Sequence, residues 1–431
     1  MLPQTQYLEP GFSSDNNSEN QNGSTMTLLV KLKHWATTPP VTHAHVTSLL
    51  HILSPYHPEL PLDARTLLKT PRSMVAKTLE NGHYCHIGLE QGLQILLKRN
   101  YKIAPKSLTI SFNIDGIPLF HSSTLQLWPI LAEVKNVKSS PFAVGIFCGK
   151  SKPKPLELYL MDFITEVLHL LEKGFLFQGQ KYSVEIHSLI CDAPARAYLK
   201  CIKSHGGYSS CEKCTDPGEY IDGRVVLSSL CAPYRTDENF SHQIDDDHHI
   251  GTSPLISLPI GMVTKFPIDY MHNCCLGVMR KLFNTWIGGP LRVRLTGRQV
   301  SMISEHLESL KLYIPVEFNR KPRPLSELPR WKATELRTIA IMVSSKHLST
   351  FGTNCPKKLL SVFVKHCVDI YGTSFLIYNV HMLLHLSRDV DIYGSLDNFS
   401  AFSFENYLGF LKGLVKSTIN PLQENPCEGC P

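Results

Sequence analysis

A change of hydrophobic periodicity in the second quarter of this 431-residue chain constrains its fold most strongly. Three short segments between residues 107 and 150 are rich in β-branched and aromatic residues and are separated by turn residues, which predicts three consecutive antiparallel strands. Helical periodicity follows over residues 156–177 and is ended by Gly174, and residues 181–195 predict a fourth strand that runs into a turn. This order of elements predicts an α/β fold with a mixed sheet.

The segments around this predicted sheet differ in composition. The first residues are rich in Ser, Asn, Gln and Gly, which predicts a disordered tail, and Thr42 is a candidate N-cap for one of the helices that follow. A polar, irregular stretch after the fourth strand predicts an insertion that continues into helices. The predicted divisions are a disordered tail (1–25), a helical N-terminal region (26–105), the first part of the core (106–205), an insertion with cysteine pairs and helices (206–370), the final core helices (371–418) and an irregular tail (419–431).

The bulk composition is that of an ordered protein with a sizeable core. Apolar residues make up 43% of the chain and charged residues 19%, and the first residues lack the pattern of a secretory signal peptide. The 13 cysteines form no small-domain disulfide framework, and no apolar run reaches the roughly 18 residues that a membrane helix needs. A soluble protein of a reducing compartment is therefore predicted, nuclear or cytoplasmic and not secreted.

Positive charge is concentrated in one segment. Residues 280–337 contain 12 Lys and Arg but 5 Glu, an excess that is larger than the net charge of +6 of the whole chain. Such a segment is either a DNA-contacting surface or an ordinary solvated helical face. The candidate DNA-binding residues are Arg280, Lys281, Arg292, Arg294, Arg298, Arg320, Lys321 and Arg323.

Two aspartates stand where predicted strands end. Asp115 follows the first strand directly before Gly116, and Asp192 follows the fourth strand. Carboxylates that meet at the ends of neighbouring strands can hold two divalent metals for phosphoryl transfer. Each residue also has an ordinary interpretation, because Asp115 can begin a turn and Asp192 can cap the helix that follows.

A CxxC pair predicts a structural zinc site in the insertion. Cys211 and Cys214 have the spacing that lets two thiolates bind one Zn²⁺ from a tight turn, and no thioredoxin-like context favours a redox pair. The later segment DYMHNCCLG offers His272 and Cys275 as the remaining ligands, with Cys274 as the alternative to Cys275. The pair His381 and His385 in HMLLH lies in an apolar helix without the Glu of HExxH, so helix packing is the predicted role.

Five longer segments carry a resemblance to a known family: DARTLLKTPR, NIDGIPLFHSSTLQLWPIL, CDAPARAYLKCIKSHGGYSSCEKC, FPIDYMHNCCLGVMRKLF and YGSLDNFSAFSFENYLGFLK. They resemble the transposase-domain proteins of invertebrate DNA transposons, which are similar to CACTA (En/Spm-like) transposases. The resemblance covers the chain from about residue 27 to about residue 416. It implies a DDE transposase, with a ribonuclease-H-like sheet interrupted by a mostly helical insertion.

The resemblance also implies chemistry and residues. Mg²⁺ or Mn²⁺ would activate water or a 3′-hydroxyl against DNA phosphodiesters, with Asp115, Asp192 and Glu405 as the three carboxylates and Glu335 as the competing glutamate. DNA at transposon ends or targets is the implied partner, a homo-oligomer is possible, and the implied location is nuclear. Full-length relatives would continue past the glutamate helix, whereas this chain ends soon after Glu405, so a shortened enzyme is expected. The alternative is a co-opted or remnant transposase fold that binds DNA or protein without catalysis.

Overall fold

A computed structural model describes residues 27–36, 41–68, 76–100, 104–120, 123–314, 320–339, 356–415 and residue 422. The predicted disordered tail and, apart from residue 422, the predicted irregular C-terminal tail lie outside this part of the chain. The chain divides into two compact units, Met1–Thr70 and Pro71–Pro431. Each unit has its own buried apolar side chains.

The first unit is helical in its described part. Its helices are α1 (Leu28–Ala36), α2 (His43–Leu53) and α3 (Ala64–Leu68). The predicted N-cap is confirmed, because the Thr42 side chain accepts a hydrogen bond from the backbone N–H of His45 at 3.3 Å. Val46 and Leu50, four residues apart on α2, are both buried in the apolar cluster of this unit.

The second unit is built on a mixed sheet, which confirms the predicted α/β class. Its strands are β1 (Lys77–Leu79), β2 (Gly82–His86), β3 (Ser107–Ile114), β4 (Ile117–Pro118), β5 (Gln126–Val134), β6 (Phe142–Gly149), β7 (Phe175–Phe177) and β8 (Gln180–Leu189). They lie in the order β1-β2-β6-β5-β3-β8-β7, and β4 pairs with one end of β5. The central β3 is antiparallel to β5 and parallel to β8. The three consecutive predicted strands are β3, β5 and β6, and the predicted fourth strand is β8.

Helices cover the sheet on both faces. On one face lie α4 (Leu89–Asn100) and α5 (Leu156–Lys173), and the rings of Phe112 on β3 and Phe163 on α5 meet edge to face at 5.0 Å between centroids. On the other face, Leu131 of β5 belongs to a second apolar cluster with the later helices. Because β3 is covered on both faces, the residue that follows it lies in a largely buried region.

Three strands lie where helices are expected from the sequence. Residues 77–86 form the hairpin of β1 and β2 inside the predicted helical N-terminal region, and β7 occupies the end of the stretch 156–177. These strands are three to five residues long, which is too short for a distinct periodicity. Gly174 ends α5 with φ +72°, and the chain then returns along β8.

The remainder of the unit is mostly helical. Its elements are α6 (Ala193–Lys200), the hairpin β9 (Glu219–Ile221) and β10 (Arg224–Val226), α7 (Asp237–Ser241), a π-helix (Met271–Met279) that continues into α8 (Arg280–Gly288), α9 (Gly297–Ser309), α10 (333–339), α11 (Pro356–Tyr371), α12 (Tyr378–Tyr393) and α13 (Phe402–Leu414). A π-helix is rare in proteins and often marks a functional site. None of the described helices combines the length and apolarity needed to cross a lipid bilayer.

Candidate metal centres

The first candidate centre is an acidic group at the end of β3, which we call the acidic centre. One ligand atom each of Asp115, His272 and Glu405 lies within 4.8 Å of the others. Asp115 follows β3, His272 lies in the π-helix, and Glu405 lies in the first turn of α13. The centre therefore gathers side chains from three distant parts of the sequence, and these oxygen and nitrogen donors could hold a metal ion.

The backbone after β3 fixes the orientation of Asp115. The N–H of Gly116 donates to Oδ1 of Asp115 at 2.7 Å. A Cβ at residue 116 would lie 2.3 Å from the indole ring of Trp128, so a side chain there would displace the tryptophan or the turn. The close approach of Trp128 therefore requires glycine at residue 116.

Asp192 lies beside this centre and also caps a helix. It follows β8, the parallel neighbour of β3, and its Oδ1 accepts a hydrogen bond from the N–H of Ala195 at 2.7 Å. Its negative charge raises the pKa values of Asp115 and Glu405, which places it in their neighbourhood. The group of ligand atoms within 4.8 Å does not include Asp192. Both sequence interpretations of Asp192, helix cap and member of a carboxylate cluster, are therefore compatible with its position.

The pKa values of the side chains in this centre are shifted. Burial, reinforced by the charges of Asp192 and Glu405, raises the pKa of Asp115 to about 8. Burial also raises the pKa of Glu405. For His272 burial opposes protonation, but the hydrogen bond and charge of Asp269 outweigh it and raise the pKa to about 9. His272 is therefore a cation at neutral pH, and its Nε2 lies 3.7 Å from Oε1 of Glu405.

Asp269 is a further residue of this centre that sequence reasoning missed. It is fully buried, and its Oδ2 contacts Nδ1 of His272 at 2.6 Å. Its Oδ1 accepts a hydrogen bond from the N–H of Ala401 at 2.8 Å, immediately before α13. Asp269 thereby holds His272 and the first turn of the helix that carries Glu405 in a fixed relation. The available signal was the D-x-x-H spacing, which lets one carboxylate orient an imidazole across one helical turn.

The competing glutamate lies elsewhere. Glu335 is buried and accepts hydrogen bonds from both Nε and Nη2 of Arg323, at 2.6 and 3.0 Å. A carboxylate held in this bidentate ion pair is not available to the acidic centre. Of the two glutamates considered, Glu405 is the one beside Asp115.

The second candidate centre is a fully buried Cys₂His₂ group of Cys211, Cys214, His381 and His385. Sγ of Cys211 lies 3.5 Å from Nε2 of His385, Sγ of Cys214 lies 3.3 Å from Nε2 of His381, and the two sulfur atoms are 3.5 Å apart. Such a donor set could hold a metal such as zinc. We call this group the Cys₂His₂ centre.

The surroundings of these four side chains fit a metal. Nδ1 of His381 contacts the carbonyl oxygen of Leu227 at 3.1 Å, which leaves Nε2 as the free ligand atom. The backbone N–H groups of Lys213 and Cys214 donate to Sγ of Cys211 at 3.4 and 3.3 Å and would stabilise a thiolate there.

This arrangement corrects the predicted ligand set. His272 belongs to the acidic centre, and Cys275 is buried in a separate apolar cluster with Phe283 and Trp331. Cys274, the alternative, is not in the Cys₂His₂ group either. The imidazoles that lie beside Cys211 and Cys214 are instead those of His381 and His385, whose spacing of four residues puts both side chains on one face of α12.

The candidate DNA-binding residues fall into two groups. Three of them are held by intramolecular contacts: Arg280 donates to the carbonyl oxygen of Trp331, Lys281 lies over the ring of Phe375, and Arg323 pairs with Glu335. A DNA phosphate would have to compete with these contacts. The exposed members are Arg292, Arg294, Arg298, Arg320 and Lys321.

Comparisons with known proteins add no relative: no protein-family model matches the chain, and no curated protein matches it significantly. Its function must therefore be inferred from the geometry of the two centres.

Proposed function

We propose that the chain is the core of a transposon-derived DDE transposase, which cleaves and transfers DNA strands with divalent metals held by Asp115, Asp192 and Glu405. The observation that carries the proposal is the meeting of Asp115, Glu405 and His272 within 4.8 Å, with Asp192 beside them. Three carboxylates crowded together repel one another, and a divalent cation would relieve that repulsion. The five family-like segments supply the transposase identity within this proposal.

The sheet supports a ribonuclease-H-like core. Its central order β6-β5-β3-β8 has an antiparallel first half, a helix between β6 and β8, and a parallel β3–β8 pair. Asp115 and Asp192 follow these two adjacent parallel strands. This is the order expected for a ribonuclease-H-like sheet whose first and fourth strands each present one catalytic aspartate.

The chain's own residues would do the following work. Mg²⁺ or Mn²⁺, when bound, supplies Lewis-acid activation of the attacking oxygen and stabilises the leaving oxygen. Asp115, Asp192 and Glu405 would hold the cations, so Asp115 must first lose its proton. His272, kept cationic and oriented by Asp269, is placed to contact an anionic phosphate oxygen.

DNA is the proposed partner and the nucleus the proposed location. The exposed residues Arg292, Arg294 and Arg298 precede and begin α9, and Arg320 and Lys321 are exposed beyond it. Guanidinium and ammonium groups on one segment provide sequence-independent contacts to phosphates. Arg280, Lys281 and Arg323 take a structural role in this proposal.

The decisive experiment separates catalysis from helix capping at Asp192. Asn is as good an N-cap as Asp, so Asp192→Asn keeps the cap and removes the charge, whereas Asp192→Ala also loses about 1 kcal/mol of stability. We expect Asp192→Asn to melt within about 2 °C of the wild type while Mn²⁺-dependent plasmid nicking falls by about 100-fold or more. Unchanged nicking in Asp192→Asn, or nicking that survives Asp115→Ala, would refute the catalytic assignment.

A non-catalytic transposase remnant that binds DNA is the second candidate. The observation that favours it is the use of Oδ1 of Asp192 by the cap of α6, together with the contact between His272 and Glu405. Both contacts satisfy these groups without a cation. Steeply salt-dependent DNA binding with no Mn²⁺-dependent cleavage of plasmid or single-stranded DNA would support this candidate over the first.

A further inference from the structure

Four side chains on one face of α12 meet four consecutive residues of the loop 211–214. The helix residues are Tyr378, His381, His385 and Asp389, spaced by three or four positions so that they form one stripe. All four are buried. The loop, whose sequence is CEKC, lies against this stripe along its whole length.

Each loop residue contacts its own residue of the stripe. Two pairs belong to the Cys₂His₂ centre, Cys211 with His385 and Cys214 with His381. The two residues between the cysteines make polar pairs with the two ends of the stripe. Those polar contacts are the hydroxyl of Tyr378 to Oε1 of Glu212 at 2.6 Å and Nζ of Lys213 to Oδ1 of Asp389 at 3.1 Å. A metal that joins the cysteines to the histidines therefore also fixes Glu212 and Lys213 against α12.

The contacts of Glu212 connect the loop to the segment that carries Asp192. Its carboxylate pairs with Nε of Arg196 at 2.6 Å and with Nζ of Lys200 at 3.0 Å, both on α6. Nη1 of Arg196 in turn donates to the carbonyl oxygen of Cys191 at 2.6 Å, in the residue before Asp192. These charged side chains are at most 3% exposed, so water does not screen or replace their contacts.

The contacts of Lys213 connect the loop to the segment that carries His272. Its Nζ donates to the carbonyl oxygen of Phe266 at 2.9 Å, and its partner Asp389 accepts a hydrogen bond from the N–H of Ile268 at 2.7 Å. The next residue is Asp269, which orients His272. The carbonyl oxygen of Phe266 and the N–H of Ile268 therefore both belong to the short backbone segment that leads into the acidic centre.

We propose that Glu212 and Lys213 are positioning residues through which the metal of the Cys₂His₂ centre sets the geometry, and hence the divalent-cation affinity, of the acidic centre. The inference rests on the proposed function for its cation-binding readout. Glu212 holds the strand end that carries Asp192, and Lys213 holds the segment that carries Asp269 and His272. Loss of the Cys₂His₂ metal then loosens both of these backbone segments at once.

The first test uses the unaltered chain and does not depend on catalysis. Hydrogen exchange is measured by mass spectrometry on the zinc-loaded protein, after chelation, and after one equivalent of Zn²⁺ is returned. We expect chelation to speed exchange about tenfold or more in residues 189–195 and 266–273 as well as in the loop and α12, with recovery on Zn²⁺. Faster exchange confined to the loop and α12 would overturn the inference.

The second test measures the positioning role of Glu212 separately from the zinc content of the protein. The double variant Glu212→Gln with Lys200→Met removes one buried charge of each sign, so it weakens the connection between the loop and α6 without changing the net buried charge. We expect it to retain about one zinc per chain while its Mn²⁺ dissociation constant, read by electron paramagnetic resonance, rises about tenfold. Lys203→Met, which breaks a partly exposed ion pair with Asp247 on the same stretch of chain, is the matched control and should stay within about twofold.

Retained zinc with unchanged Mn²⁺ affinity in the double variant would overturn the inference. If that variant does not fold, the exchange measurement on the unaltered chain decides. If Mn²⁺ binding by the wild type does not depend on Asp115, the proposed function fails instead, and the exchange pattern still decides whether the Cys₂His₂ metal orders the two segments.

Discussion

The donor atoms of the Cys₂His₂ centre are sealed inside the protein, whereas the acidic centre keeps two side chains partly exposed. Every residue of the Cys₂His₂ group is at most 5% exposed, but the side chains of His272 and Glu405 are 27% and 34% exposed. Closed four-ligand sites are typical of structural metals, and sites with open positions are typical of catalysis. The two centres therefore have the accessibilities expected for holding the fold and for reaching a substrate.

The centres also differ in how the chain supplies their charge. In the Cys₂His₂ centre, no carboxylate belongs to the donor group, and backbone N–H groups donate to Sγ of Cys211. In the acidic centre, burial and the charges of neighbouring carboxylates raise the pKa of Asp115, and His272 carries a compensating positive charge. A metal would thus stabilise the fold at the Cys₂His₂ centre, whereas at the acidic centre it would have to displace protons.

The largest expected effect is the loss of the Cys₂His₂ metal. Cys211→Ser with Cys214→Ser should reduce zinc from about one per chain to none and lower the melting temperature by about 10 °C or more, because a structural metal contributes folding free energy. Elemental analysis and thermal unfolding provide the measurement. Cys231→Ser, at an exposed cysteine, is the control, and His272→Ala with Cys275→Ser should keep the zinc. Zinc that follows His272 and Cys275 instead would restore the ligand set expected from sequence.

Two glutamates provide the next contrast. Glu405→Gln should reduce Mn²⁺-dependent DNA nicking by about 100-fold with little change in stability, because it removes a proposed cation ligand that is partly exposed. Glu335→Gln should instead lower the free energy of unfolding by about 1 to 3 kcal/mol, because it removes the buried charged partner of Arg323 and leaves only the partly exposed Glu327. Nicking and denaturant unfolding are measured on both variants. The opposite pattern would identify Glu335 as the catalytic glutamate.

The acidic centre should bind cations in a strongly pH-dependent way. The pKa of Asp115 is raised to about 8, so below that pH a cation must displace its proton, and the proton on His272 adds to the opposition. We expect Mn²⁺ affinity to rise by about tenfold per pH unit between pH 6 and 8, measured by titration calorimetry. Zn²⁺ content should stay constant over the same range. A Mn²⁺ affinity that is flat with pH would show that Asp115 is not a ligand.

The same two groups make the free energy of unfolding depend on pH. Because the folded-state pKa of Asp115 lies above its unfolded value of 3.8, the unfolded state loses this proton first as pH rises. The contribution of Asp115 to stability is therefore present below pH 4 and is lost as pH rises toward 8. His272, with its pKa raised from 6.5 to about 9, contributes stability below pH 6.5 that is lost as pH rises through 9.

The smallest expected effect concerns the exposed basic residues. Replacing Arg292, Arg294 and Arg298 with Gln should weaken DNA binding several-fold at physiological salt and reduce the slope of log affinity against log salt by about 2 to 3. Filter binding over a range of salt concentrations measures both quantities. The control replaces three exposed lysines elsewhere: Lys106, Lys173 and Lys181. Equal losses in both variants would indicate a general charge effect without a defined DNA surface.

The sheet was the part of the fold most accessible from sequence. Alternating apolar residues and the helix end at Gly174 predict β3, β5, β6, α5 and β8 in the right order, because these elements are long enough to have a distinct period. The hairpin of β1 and β2 was missed because its strands are short and their pairing with β6 is a tertiary property.

The sequence predicted only some residues of each centre. Asp115 and Asp192 follow from strand ends, whereas Glu405 came from family resemblance, since no spacing links it to them. For the Cys₂His₂ centre, the cysteine pair has a short-range pattern, but its histidines lie 167 and 174 residues away along the chain. An apolar helix with two histidines more often indicates packing, and only the fold brings α12 to the loop.

The one-to-one contact between the loop 211–214 and α12 can be written as a pattern of letters. C-E-K-C corresponds to Y-x-x-H-x-x-x-H-x-x-x-D, because each residue of the first string contacts one residue of the second. Divergent copies of this chain should therefore exchange Lys213 and Asp389 together, as a reversed charge pair or as two apolar residues. The two strings together form a signature by which descendants with otherwise little similarity could be found.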